Sequence, residues 1–166
     1  MPIFTVGYGR DDFAAFAERL ARHGVTTVVD IRSTPYSRYQ LDFRAGTIEH
    51  LCAERSLGYE YEGDALGGRP KSTDVVTDGR LDIGKLIVSR AFCDAIDRLA
   101  ARHETETLAL MCGCSRVFVC HRGKILVPEL ERRGIPVSHI GPDGVLRSTH
   151  DEAIWEAGGQ MDLFAE

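Results

Sequence analysis

Short β-rich runs alternate with amphipathic helical patterns along almost the whole chain, and this alternation restricts the fold more than any other feature of the sequence. Ile3-Phe4-Thr5-Val6-Gly7 opens the series. A helix is expected from about Asp11 to Arg22, capped by Asp11 and closed by Gly24. Thr26 to Ile31 reads as the second strand, Ala45 to Arg55 as a helix and Gly58 to Tyr61 as a short third strand. A helix from about Ser89 to Arg102, a strand from Thr107 to Met111, a helix from about His121 to Arg133 and a strand from Pro136 to Ile140 complete the alternation. Between them, the glycine-rich, charged segment from Glu62 to Gly84 has no firm periodicity, and long loops of that kind are often functional. Strands separated by helices imply crossover connections. The expected fold is therefore a three-layer, Rossmann-like α/β sandwich with a mostly parallel sheet, formed by residues 1–157 as one domain and followed by a flexible tail over 158–166.

A chain of 166 residues with 43% hydrophobic content suits one ordinary core. No apolar stretch approaches the length of a membrane span, and Met1 to Arg10 lacks the basic flank and long apolar segment of a secretory leader, so a cytoplasmic protein without a membrane partner is expected. In a reducing compartment, five cysteines (Cys52, Cys93, Cys112, Cys114 and Cys120) argue against a disulfide framework. They leave metal binding, thiol chemistry or plain burial. A net charge of −5 weakens the case for a broad nucleic-acid footprint but permits a local basic pocket.

The segment Met111 to Lys124 concentrates reactive groups immediately after a predicted strand, where open α/β sheets usually bind their ligands. Cys112 and Cys120 are candidate nucleophiles, because a thiol near a helix start and beside Arg or His⁺ has a lowered pKa. A cysteine followed six positions later by arginine, the phosphatase-like pattern, is absent: Phe118 and Cys120 stand in those places after Cys112 and Cys114. Cys112, Cys114, Cys120 and His121 have the donor types of a zinc site, but their spacing differs from the usual paired ligands, so no metal is expected and the cofactor is left undetermined. Simple packing of small residues at a turn is the plain alternative. Arg32, Arg38, Arg69 and Arg122 sit in loops or at a helix start and suit a phosphate or carboxylate, with the helix opening near His121 adding its N-terminal N–H groups. Asp30 is placed to orient Arg32 or Arg122, to act as a base, or to form a structural ion pair. His150 follows the last strand and is a candidate proton carrier or a solvent-facing residue, whereas His23, His50, His103 and His139 read as surface or packing residues.

Three motifs in order, VDIRSTPYSRY after the second strand, LGGRP in the middle loop and LMCGCSRVFVCHR before the last predicted helix, resemble the domain-of-unknown-function family 488 over about the first 150 residues. The resemblance implies where the site lies and leaves the reaction open. The family pattern of a Met-Cys-Ala-Glu stretch, a proline and Cys-His-Arg falls on Met111, Cys112, Gly113, Cys114, Val117, Cys120, His121 and Arg122. Cys114 replaces the glutamate and Val117 the proline. A family reaction that needed the glutamate as acid or base would here have to use a thiol or be lost. The candidate set is thus Asp30, Cys112, Cys120 and His121 for catalysis and Arg32, Arg38, Arg69 and Arg122 for substrate.

Near the C-terminus, Gln160-Met161-Asp162-Leu163-Phe164 resembles the bacterial sliding-clamp-binding peptide, with Gly158 and Gly159 loosening its connection to the domain. Tethering of this kind would bring an acidic protein to DNA without a basic surface. The reading that follows is a DNA-maintenance-associated protein, processing nucleic acid or nucleotides at an arginine- and cysteine-lined anion site and recruited by the clamp. Its competitors are a small-molecule enzyme using thiol chemistry on a phosphorylated or other anionic substrate, and a noncatalytic nucleic-acid-binding adaptor.

Overall fold

The structure is a computed structural model and describes residues 1–69 and 71–161. The chain order is β1 (Ile3–Gly7), α1 (Phe13–Arg22), β2 (Thr27–Asp30), α2 (Ala45–Ala53), β3 (Gly58–Tyr61), α3 (Gly63–Leu66), β4 (Val76–Thr77), β5 (Arg80–Leu81), α4 (Ile83–Ile87), α5 (Arg90–Arg102), β6 (Leu108–Cys112), α6 (Val127–Arg132), β7 (Val137–Ile140), β8 (Leu146–Ser148) and α7 (Thr149–Met161). Six strands form one sheet in the order β3-β2-β6-β1-β7-β8, parallel except for β8. This is the expected three-layer α/β sandwich.

Every residue of β1, β2 and β6 is buried, as expected for parallel strands covered on both faces. Alternation along β1 sends Ile3 to one core and Phe4 and Val6 to the other. Phe13, Phe16, Ala17 and Leu20 recur at helical spacing and turn α1 onto the face of Phe4, Val6, Val28 and Met111. On the opposite face, Phe92, Ile96 and Leu99 of α5 and Leu130 of α6 cover Ile3, Val29, Leu108 and Leu110. The helix following β1 and the helix following β6 thus lie on opposite faces of adjacent strands. That arrangement opens a crevice at their carboxyl ends.

Four local expectations need correction. Asp12, rather than Asp11, caps α1, accepting from the Ala15 N–H at 2.8 Å, while Asp11 pairs with Arg19 at 2.6 Å. The stretch from Glu62 to Gly84 contains α3, a β4–β5 hairpin and the start of α4. Its hairpin turns at Asp78-Gly79, both in the left-handed region, which the Asp-Gly pair is suited to adopt. The run after His121 begins as a wide π turn over Arg122–Leu126 before α6. Pro128 accounts for the change, since it lacks an N–H and its ring crowds the carbonyl four residues back. Finally, β8 was not anticipated: three half-exposed residues carry no apolar alternation, and only pairing with β7 makes them a strand. No described helix is long and apolar enough to cross a membrane.

Candidate active site

The crevice is a cleft of about 490 Å³. Arg32, Ser33 and Thr34 enter it from the loop after β2, Gly68 and Arg69 from the segment after α3, and Cys112, Cys114, Cys120 and His121 from the end of β6 and the segment beyond. Its volume suits a small-molecule ligand. Another hollow of about 380 Å³, between α1 and Arg55–Leu57, is lined mainly by alanine, leucine and valine and has neither thiol nor imidazole.

Close backbone approaches fix the walls. The Cys114 carbonyl occupies the space that a β-carbon on Gly7 would need, and Tyr8 and Gly9 continue the pairing beyond β1 through N–H bonds of 3.2 Å to the carbonyls of Cys112 and Gly113. Gly68 lies against His121, where a β-carbon would stand 3.1 Å from the imidazole Cγ. The Arg69 N–H donates to the Ser33 hydroxyl at 2.7 Å, joining two of the recognised motifs directly.

Cys120 Sγ lies 3.4 Å from Cys112 Sγ and 3.6 Å from His121 Nδ1. The other imidazole nitrogen, Nε2, donates to the Ile31 carbonyl at 3.1 Å. A carbonyl can only accept, so this bond places the proton on Nε2 and leaves the Nδ1 lone pair facing the thiols. Burial lowers the His121 pKa below its ordinary value, which keeps the ring neutral near pH 7. One atom each from Cys112, Cys120 and His121 lies within 4.8 Å of the others, a grouping that can hold a metal ion. Cys114 stands outside that group, exposed at the cleft mouth. The Cys112 and Cys120 thiols and the Arg122 charge lower its pKa, whereas the Cys112 and Cys114 thiols and burial push Cys120 up.

Asp30 is fully buried and grips Arg32 through Nε at 2.9 Å and Nη2 at 2.6 Å, while also accepting from the Tyr59 hydroxyl at 2.8 Å. Arg32 uses Nη1 on the Phe43 carbonyl at 2.7 Å and the Tyr8 hydroxyl at 3.3 Å. The pair anchors the loop after β2. Tyr59 remains a donor because burial and the Asp30 charge raise its pKa.

Asp30 does not pair with Arg122 in the structure. Arg122 turns beneath the cysteine segment, almost wholly buried, and donates from Nη2 to the Cys114 carbonyl at 3.2 Å; its Nε and Nη1 have no partner among the described residues. It does not line the cleft. Arg38 is exposed outside the cleft and stacks over Tyr39 at 5.6 Å, and His150 is exposed in the first turn of α7. Arg69 lines the cleft, is exposed and has no ion-pair partner among the described residues, unlike Arg32, which is held by Asp30. The motifs did not single out Cys114 as a site residue, although its substitution for the family glutamate marked it. The Ile31 carbonyl and Gly68 act through backbone and space, which residue chemistry does not reveal. Gln160 and Met161 fall in the last turn of α7, while Asp162, Leu163 and Phe164 lie outside the described residues.

A family model described as "Domain of unknown function DUF488" matches residues 12–126. The chain belongs to that family. No curated protein and no solved structure matches it. The DUF488 match includes the loop after β2, the Gly68–Arg69 wall and the whole cysteine segment, but ends before α6.

Proposed function

We propose that this DUF488 protein is a thiol-dependent enzyme acting on a small anionic substrate, phosphorylated or carboxylated, bound in the cleft. The observation that carries the reading is the Cys120–His121 pair, with Nε2 fixed on Ile31 and Nδ1 facing the thiol group beside the cleft. Arg69 and the Ser33–Thr34 wall supply a cation and hydroxyls for the anion. Cys114 is the nucleophile a substrate meets first. In this scheme its sulfur bonds to the electrophilic phosphorus or carbon as the leaving oxygen departs with its electron pair and takes the Cys120 proton. Water then cleaves the sulfur linkage, regenerating the Cys114 thiolate and returning a proton to Cys120 through His121. Asp30 and Arg32 serve as positioning residues.

The test is mass-spectrometric alkylation of the reduced, chelator-treated full chain, followed by turnover on a panel of phosphate and carboxylate esters. Cys114 should label at least about 10-fold faster than Cys52 or Cys93, inorganic phosphate should slow that labelling, and Cys114→Ser should remove turnover. Equal labelling without anion protection would overturn the reading.

A second reading is favoured by the sequence Gln160-Met161-Asp162-Leu163-Phe164. In it the same cleft processes nucleotides or DNA ends and the tail docks on a bacterial sliding clamp. Clamp binding lost on Leu163→Ala/Phe164→Ala supports it, and absence of binding by the full chain removes it.

A further inference from the structure

We propose that Cys112, Cys120 and His121 form a three-ligand site for one zinc-class divalent cation, with the fourth coordination position open to the cleft. In tetrahedral zinc, two sulfurs about 2.3 Å from the metal stand about 3.8 Å apart, and a sulfur and an imidazole nitrogen about 3.5 Å apart. The corresponding separations are 3.4 Å between Cys112 and Cys120 and 3.6 Å between Cys120 and His121 Nδ1. All three donor atoms lie within 4.8 Å of one another, so two of the three separations are already near those of a tetrahedral site and the third, Cys112 to His121, closes by at most about 1.3 Å.

Two further observations point to a cation. His121 presents a bare Nδ1 to the sulfurs because Nε2 is held by the Ile31 carbonyl, the outer-shell arrangement that orients metal-binding imidazoles. The site is also asymmetric in access: Cys112 and Cys120 are buried, whereas the cleft gives an approach from one side. A fully enclosed set would suit a structural ion, and an open fourth position suits a reactive one. Cys114, exposed at the mouth and outside the inner group, can fill that position by side-chain rotation and yield it to another ligand. Assigning the position to the substrate anion rests on the function proposed above; the metal site itself does not. In the loaded state the cation would polarise the anion that Arg69 holds, while Cys112 and Cys120 serve as thiolate ligands instead of proton donors.

The test uses the full chain, reduced and stripped of metal, then titrated with Zn²⁺ or Co²⁺. One equivalent should bind, and cobalt should give thiolate charge-transfer and tetrahedral ligand-field bands. Cys112→Ser, Cys120→Ser and His121→Ala should each weaken binding at least about 100-fold, while Cys52→Ser and Cys93→Ser leave it unchanged. Cys114→Ser should retain the metal with a shifted spectrum. If the inner variants do not fold, the wild-type chain still decides the matter, because mercurial titration should release zinc as the buried thiols react. Less than about 0.1 equivalent bound, without cobalt bands while all five thiols remain reduced, would overturn the site. Adding phosphate to the cobalt form separates the two proposals. A spectral change in the wild type but not in Arg69→Ala supports the substrate position, and no change overturns that assignment while leaving the metal site standing.

Discussion

The carbonyl of Cys114 sits directly over Gly7, in space that any side chain at residue 7 would claim. The end of the first strand and the reactive segment thus share one tight interface. Gly7→Ala must displace the backbone of the segment carrying Cys114. It should destabilise the protein by about 1–3 kcal/mol in urea unfolding and change the alkylation rate of Cys114. Unchanged stability and reactivity would show that the segment yields without consequence.

The buried Asp30–Arg32 pair predicts a larger effect. Removing one charge leaves the other buried and unpaired, so Asp30→Asn should cost about 3–5 kcal/mol. Tyr59→Phe removes a single hydrogen bond to Asp30 and should cost about 1 kcal/mol. Denaturant midpoints at unchanged slope would check both values.

Arg69 and Arg38 give a contrasting pair. Arg69→Ala should weaken phosphate protection of Cys114 about 10-fold, whereas Arg38→Ala, outside the cleft, should leave it unchanged. Neither exposed substitution should alter stability by more than about 0.5 kcal/mol. Equal effects on protection would contradict the cleft's placement.

His139 predicts the pH dependence of stability. It is buried, bonded through Nδ1 to the Thr5 hydroxyl at 2.7 Å, and its pKa falls to about 4 through burial and the Arg122 charge. The unfolded chain holds a proton on this ring below about pH 6.5, and the folded chain only below about pH 4. Stability from this group is therefore complete above about pH 6.5 and is lost as the pH falls toward 4, by about 3 kcal/mol in all. His139→Gln should flatten that part of the stability curve, measured by thermal unfolding from pH 7 to 4. An unchanged slope would assign the loss to other groups.

The alternating apolar runs made the sheet and its main helices legible because each strand and helix buries a face with its own period. Gly58–Tyr61 has its expected bounds, and Ser89, where a helix was expected to begin, caps α5. What pairing alone creates was not legible: Leu146–Ser148 becomes a strand only beside β7. The site divides in the same way. Cys112, Cys120 and His121 come from one motif and lie close in space, whereas Arg122 belongs to the same motif but turns away from the cleft. Adjacent residues on a turning backbone point in different directions, and a motif string does not record which. The spacing that argued against a metal describes distance along the chain, while a strand end meeting a π turn sets the distance in space.

The placement of β1 between β6 and β7 separates ancestry from self-sufficiency. Similarity to DUF488 runs from Asp12 to Leu126 and leaves out both β1 and β7, so within it β6 keeps β2 on one flank and has no partner on the other. Glu156 of α7, later still, binds the Val117 and Phe118 N–H groups of the cysteine segment. A fragment cut at the family boundary would retain the recognisable motifs but expose an open strand edge and lose part of the support for its own thiols. The stretch that resembles the family is smaller than the sheet the chain folds into.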